Sequence, residues 1–412
     1  MAGRDGKKQA RSANVGRRML VGMGAGVGVF FAAAAMATGS AAPAKADFEE
    51  LLDPIIQPLL TSLTDSIGAF DPAAALDLTS WTDSFLASLN SIDLALPSTV
   101  EPAAAVAAAA SPAADPTSGT YDIPLTVLEG TEPAVNATID GGSSSVPLLV
   151  DTGSAGLVIP WQDLGSSSSQ AFENLLSLGT PTGFSESGYS GGVDYLYLTY
   201  NSVPVDYVND SGATVLGTSG PVDIEVYSWD PSNFFSLFTN DAFQNFLTSN
   251  DVSGILGVGE NASGPTTSPF ESFGGVTVDV PGKDFIVGGD PVSGTSLAGA
   301  PIITDYISID GGPLHAVSND VDSGGVTGTI PSSLLTSSEY NSTTDLVNPG
   351  TTIAVYGNSN GTDELYSYTV TADNAPIVVS GSSMDSGVEP FLLGPISMEY
   401  TPAGTGTTFF GS

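Results

Sequence analysis

The chain has no cysteine, and beyond position 45 it has a single basic residue, Lys283, among 412 residues. Without cysteine, disulfides, thiol nucleophiles and zinc–thiolate centres are excluded, so burial and hydrogen bonding must hold the chain together. The scarcity of lysine and arginine excludes nucleic acid as a partner, because neutralising phosphates requires cations. Docking to anionic lipid is excluded for the same reason. The 45 acidic residues cannot be salt-bridged in any number, and self-repulsion between them should ease as the pH falls. Histidine is nearly missing too: His315 stands alone, so a histidine-dependent nucleophile has one candidate base.

The other basic residues crowd the beginning: Arg4, Lys7, Lys8, Arg11, Arg17, Arg18 and Lys45. A basic stretch, an apolar run from Met19 to Ala37 and the tripeptide Ala44-Lys45-Ala46 read as a secretory signal over residues 1–46. Arg17-Arg18 is compatible with a twin-arginine signal, so export by that route or by the general secretory route is expected. The expected location is outside the cell or in its envelope, without stable membrane insertion after cleavage. Cleavage there removes seven of eight basic residues and only Asp5 among the acids, leaving a net charge of about −43.

Residues 47–95 carry apolar positions at helical spacing, with Leu51, Leu52, Ile55, Ile56, Leu59 and Leu60 first and Trp81, Phe85, Leu89 and Ile92 later. A helical leader is predicted, either a pro-segment or partner-docking helix pair, or a small stabilising appendage. An Ala/Pro-rich spacer follows over residues 96–119. After Tyr121 short runs of Val, Ile, Thr and Tyr alternate with Gly, Ser, Asn and Asp clusters, as in "VDYLYLTYNSV" and "GGVTVDVPGKDFIVGG". That texture predicts a large all-β body, with "DAFQNFLTS" as the best short helix.

Two turns in this body match each other. DTGSAGLVIP begins at Asp151 and DSGGVTGTIP at Asp322. Both place a hydroxyl residue after the aspartate, Gly third, and Ile-Pro at the end. Two carboxylates held close enough to share one proton can hydrolyse an amide, one activating water as a base and the other serving as acid. Gly153 and Gly324 would let the loops approach, and Thr152 and Ser323 would brace them. Such a pair titrates as a unit.

DTGS followed by Leu157-Val158-Ile159-Pro160 resembles the first active-site turn of the pepsin-like aspartic proteases. More narrowly, DTGSxGLVIP and DSGGVxGTIP resemble the mycobacterial PE-cleavage aspartic proteases. Those proteins typically begin with a PE domain, where this chain carries an export signal. The resemblance implies a bilobal double β-barrel with a cleft between lobes, the first over 120–296 and the second over 297–412. It implies an apolar-apolar-Gly segment behind each loop, for which Ile255-Leu256-Gly257 and Leu392-Leu393-Gly394 are the candidates. "DFIVGGDPVSGTSLAGAPI" resembles the strand crossing between lobes, and Tyr189, in "SGYSGGVDYLYL", fits the flap tyrosine. The implied activity is a secreted, monomeric aspartic endopeptidase of exported or cell-surface proteins, PE-type proteins and itself among them. Water would be its nucleophile, with no metal or organic cofactor.

Two departures from that family matter. Ser154 can donate to the outer oxygen of Asp151, but its counterpart Gly325 has no hydroxyl. Asp151 is therefore expected to be the ionised partner and Asp322 the protonated one. Asn319 and Asp320 precede Val321 where an apolar strand is expected. Two other readings remain at this level. Gly188-Tyr189-Ser190-Gly191-Gly192 satisfies the G-x-S-x-G nucleophile elbow, which requires a following helix and His315 as base. A non-catalytic, acidic, β-rich envelope protein for adhesion would also suit the composition, although no EF-hand loop or glycine-rich calcium repeat is present.

Overall fold

The computed structural model describes residues 119–142, 144–189, 192–230 and 242–411. The expected signal, the helical leader and nearly all of the spacer lie outside these residues. What is described is all-β, built on a 13-stranded and a 9-stranded sheet. The only described helices of eight residues or more are Ser168–Ser177 and Ala242–Ser249. The second corresponds to the helix read from "DAFQNFLTS". The first was not anticipated; Ser167 caps it by accepting from the Gln170 N–H at 3.3 Å, and it buries Ala171 and Leu175.

Alternation explains the strands. Thr352–Tyr356 buries Ile353 and Val355 and turns its other residues outward. Strands buried on both faces read instead as apolar runs, as in Ala155–Pro160 and Gly254–Val258, whose residues are all buried. The long hairpin Val193–Val208/Thr214–Trp229 pairs from Asp194↔Trp229 to Val208↔Thr214, with bulges that bend it. The sheets do not divide the chain at a single point. Ile396–Glu399 pairs with Gly275–Asp279, and Thr407–Gly411 pairs with Gly294–Ala298, so the last strands join the first sheet. The lobe boundary expected at 296/297 falls inside the strand Gly294–Ala298.

The core is aliphatic and aromatic, but it contains acids. Glu132 and Asp305 are pushed up to about 7 and Glu225 to about 8, and half-buried Asp163 to about 6, in every case chiefly because burial disfavours the charged form. Hydrogen bonds offset the cost in part: Asn319 Nδ2 donates to Asp305 Oδ2 at 2.6 Å. No cation is at hand, since Lys283 is the one lysine or arginine among the described residues.

The sign for stability follows from the raised values. An unfolded carboxyl releases its proton near pH 4, whereas these groups keep theirs to between about 6 and 8. The native state therefore binds more protons than the unfolded state across that interval. The stabilisation is complete below about pH 4 and lost as the pH rises through 6–8. The thermal unfolding midpoint should fall from pH 5 to pH 8; a midpoint that climbs over that range would contradict the buried-acid account.

Candidate active site

Each matched turn sits at the end of a strand with the same surroundings. Val146–Asp151 runs parallel to Gly254–Val258, pairing Leu149↔Ile255 and Asp151↔Gly257. The outgoing strand Ala155–Pro160 pairs antiparallel with the far side of Gly254–Val258, bringing Val158 opposite Ile255. In the second half His315–Asp320 runs parallel to Ser383–Asp385, pairing Asp320↔Asp385. Thr329–Pro331 takes the outgoing place, with Thr329 opposite Asp385. A strand-loop-strand unit threaded by a third strand is thus built twice.

The two loops are tied reciprocally. Thr152 N–H donates to Ser323 Oγ at 3.1 Å, and Ser323 N–H donates to Thr152 Oγ1 at 2.8 Å. Each hydroxyl then donates onward across the pseudo-dyad, Thr152 Oγ1 to the Val321 carbonyl at 2.6 Å and Ser323 Oγ to the Val150 carbonyl at 2.5 Å. Thr152 and Ser323 are fully buried. The glycines allow this approach. A Cβ on Gly324 would lie 2.8 Å from the Asp151 carboxyl carbon, and one on Gly153 would overlap the Asp322 carboxyl.

The carboxyls meet at the lock. Gly153 N–H reaches Asp151 Oδ1 at 2.9 Å and Asp322 Oδ1 at 3.2 Å, so one amide touches both. Gly324 N–H donates to Asp322 Oδ1 at 2.8 Å, and Ser154 Oγ donates to Asp151 Oδ2 at 2.6 Å. Burial raises Asp151, opposed first by the Ser154 hydroxyl and then by the Asp322 carboxyl. Burial also raises Asp322 far above the ordinary range, reinforced by the charges of Asp151, Asp385 and Asp320. The mutual hydrogen bond lowers Asp151 and raises Asp322. The two carboxyls titrate as a unit, and the Ser154 hydrogen bond on the first together with the acidic neighbours of the second favours the charge on Asp151.

Tyr189 ends the strand Gly183–Tyr189, which forms a hairpin with Val193–Val208. Its ring stacks on Tyr195 at 5.5 Å and on Phe243 and Phe246 at 6.0 Å. Burial, then the charges of Tyr195 and Asp151, raise its phenol, so it lies within electrostatic range of the aspartate pair. The chain continues from Gly188 through the hairpin into the strand Val193–Val208, so the strand-turn-helix that a nucleophile elbow requires is not formed. His315 is exposed on its strand.

One assignment is corrected. Ile255-Leu256-Gly257 does pass behind the first loop, but Leu392-Leu393-Gly394 does not pass behind the second. Leu392 and Leu393 are exposed at the end of the short helix Glu389–Leu393. The place belongs to Asp385-Ser386-Gly387, a further Asp-hydroxyl-Gly triplet, which the sequence does not single out because Asp210-Ser211-Gly212 has the same composition. Ser386 Oγ accepts from the Asp322 N–H at 3.1 Å. Glu132, 2 % exposed and in the electrostatic field of Asp151, was also missed, because a lone acid inside a strand looks like any solvent-facing one.

Two interlocked Asp-hydroxyl-Gly loops that share an amide define an aspartyl-peptidase-like site. Residues 121–408 match the PE-PGRS C-terminal aspartyl peptidase-like domain, and the chain belongs to that family. PE cleavage protein A of Mycobacterium tuberculosis is 38% identical over 303 residues, covering 70% of this chain and 51% of that protein. PE cleavage protein A of Mycobacterium marinum is 40% identical over 305 residues, covering 70% and 52%. The chain thus spans about half the length of the curated relatives it matches.

The lock and the close approach can be tested separately. Thr152→Val orphans the buried Ser323 N–H and Val321 carbonyl, which should cost about 1–3 kcal/mol per group in a denaturant titration. Gly153→Ala should abolish function with a smaller loss of stability, because its methyl group displaces the Asp322 carboxyl. Both variants matching wild type in stability would refute the reciprocal lock.

Proposed function

We propose that the chain is an exported aspartic endopeptidase that cleaves PE-type and other exported or cell-surface proteins. The observation that carries this reading is the single Gly153 amide touching both carboxyls between mutually braced loops. The names of the mycobacterial relatives supply the substrate class.

Asp151, ionised and steadied by Ser154, takes a proton from water as the water attacks the peptide carbonyl. Asp322 donates its proton to the carbonyl oxygen; the tetrahedral species collapses as the leaving nitrogen takes up the proton that water gave to the pair and a hydroxyl of the species returns one to Asp322. Water is the nucleophile and the two carboxyls exchange roles, so the step needs no metal. The substrate lies extended between two lobes and is recognised through its backbone as an added strand. The hairpin bearing Tyr189 closes over it and excludes solvent. The monomer is the working form.

Asp151→Asn and Asp322→Asn should each lower peptide hydrolysis about a thousand-fold or more, read by mass spectrometry of peptide-library and PE-protein products. Cleavage surviving in purified Asp151→Asn would overturn the assignment. Ser154→Ala removes the hydrogen bond that favours ionised Asp151. The acidic limb of the kcat/KM profile should then move up by about one pH unit; an unmoved limb would show that the base lies elsewhere.

A further inference from the structure

The two half-sites are alike in backbone and unlike in chemistry. Behind Asp151 the paired positions Leu149, Val158 and Ile255 are buried and aliphatic, packed with Tyr195 and Phe243. Register places Asp320, Thr329 and Asp385 at the corresponding positions behind Asp322. Two carboxyls thus replace two aliphatic side chains at the place where the second half-site also lacks the hydroxyl that Ser154 supplies to the first.

These differences are spatially linked. A Cβ on Gly325 would lie 2.6 Å from Asp385 Oδ1 and 2.9 Å from Asp322 Oδ2. The Asp385 carboxyl therefore occupies the volume that a side chain at 325 would fill, and it faces the outer oxygen of Asp322. It is fixed there by its own loop, because Gly387 N–H donates to Asp385 Oδ1 at 2.8 Å. We propose that Asp385 is a positioning residue whose carboxyl replaces the missing hydroxyl and, backed by Asp320, holds Asp322 in its acid form. This rests on the peptidase reading given above.

The sign distinguishes this arrangement from the first half-site. A hydroxyl donates to a carboxylate and favours its ionisation, as Ser154 does for Asp151. A second carboxyl opposes ionisation, since two anions would then face each other without a cation. The groups facing Asp385 are Asp320 on the adjacent strand, Asp322 and Asp151 in the paired loops, and the Tyr366 phenol on the strand Glu364–Thr369. None can carry a positive charge. Burial, followed by the charges of Asp385 and Asp151, pushes Asp320 up to about 8, and burial pushes Asp385 to about 7, so the cluster retains protons toward neutral pH. Coupling a general acid to this reserve extends the working range upward.

Asp385→Asn keeps the shape and can still accept from Gly387 while removing the charge. Its kcat/KM profile should lose its basic limb about one pH unit earlier than wild type, with KM at acid pH nearly unchanged. The double variant Gly325→Ser/Asp385→Ile copies the first half-site and should be active at acid pH with the same early basic limb. A basic limb coinciding with that of wild type in folded Asp385→Asn would overturn the proposal. If Asp385→Asn does not fold, Asp320→Asn must move that limb in the same direction. In wild type the infrared band of protonated carboxyls should persist to neutral pH, and its disappearance by about pH 5 would also count against the proposal. These outcomes are distinct from failure of the peptidase reading, in which Asp151→Asn would retain activity.

Discussion

The reciprocal hydrogen bonds between Thr152 and Ser323 are the constraint on which the site depends. Each residue gives its amide to the other's hydroxyl, and each hydroxyl passes its proton to the carbonyl preceding the opposite aspartate. Four hydrogen bonds join six buried polar groups with no water required, so any sliding of one loop past the other would orphan several at once. Rigidity at this point has a chemical purpose. Two carboxyls share a proton only while their separation is held, and hydrogen bonds between backbones control that separation better than contacts between side chains could.

Burial supplies the second half of the electrostatic design. In most proteins a buried acid is partnered by lysine or arginine, which keeps it ionised. Here the described residues hold one lysine, Lys283, and burial instead raises the acids toward and above neutrality, Asp305 to about 7 and Glu225 to about 8. The asymmetry of the pair follows from its immediate neighbours. Ser154 lies on one side, while Asp385 and Asp320 lie on the other. Nearly identical backbone units thereby surround the two carboxyls with opposite electrostatics, the asymmetry from which the proposed base and acid roles are drawn.

The two loops and their glycines were legible because each is a contiguous Asp-hydroxyl-Gly pattern with Ile-Pro to follow, and the segment behind Asp151 because it is an apolar-apolar-Gly run. The segment behind Asp322 was not. Leu392-Leu393-Gly394 has the right local composition, but strand register decides which residues pass behind a loop, and register is not written in a tripeptide. Asp320 looked like an anomaly in an otherwise apolar position until its partner across the parallel strands, Asp385, was located. The same limit hid Glu132, whose burial depends on neighbours distant in the sequence. Ser168–Ser177 does carry apolar residues at helical spacing, Ala171, Phe172, Leu175 and Leu176, but its start lies in the serine run Ser166 to Ser169, which reads as a loop.

The return of Ile396–Glu399 and Thr407–Gly411 into the first sheet also bears on how the molecule is born. Strands around residues 275–298 wait for partners more than a hundred positions later, so neither half can finish independently while the polypeptide is still emerging. Such long-range pairing is slow. The paired loops around Asp151 and Asp322 thus rest on a first sheet that is complete only once the strand Thr407–Gly411 has been made, which on the proposed peptidase reading would delay cutting until then.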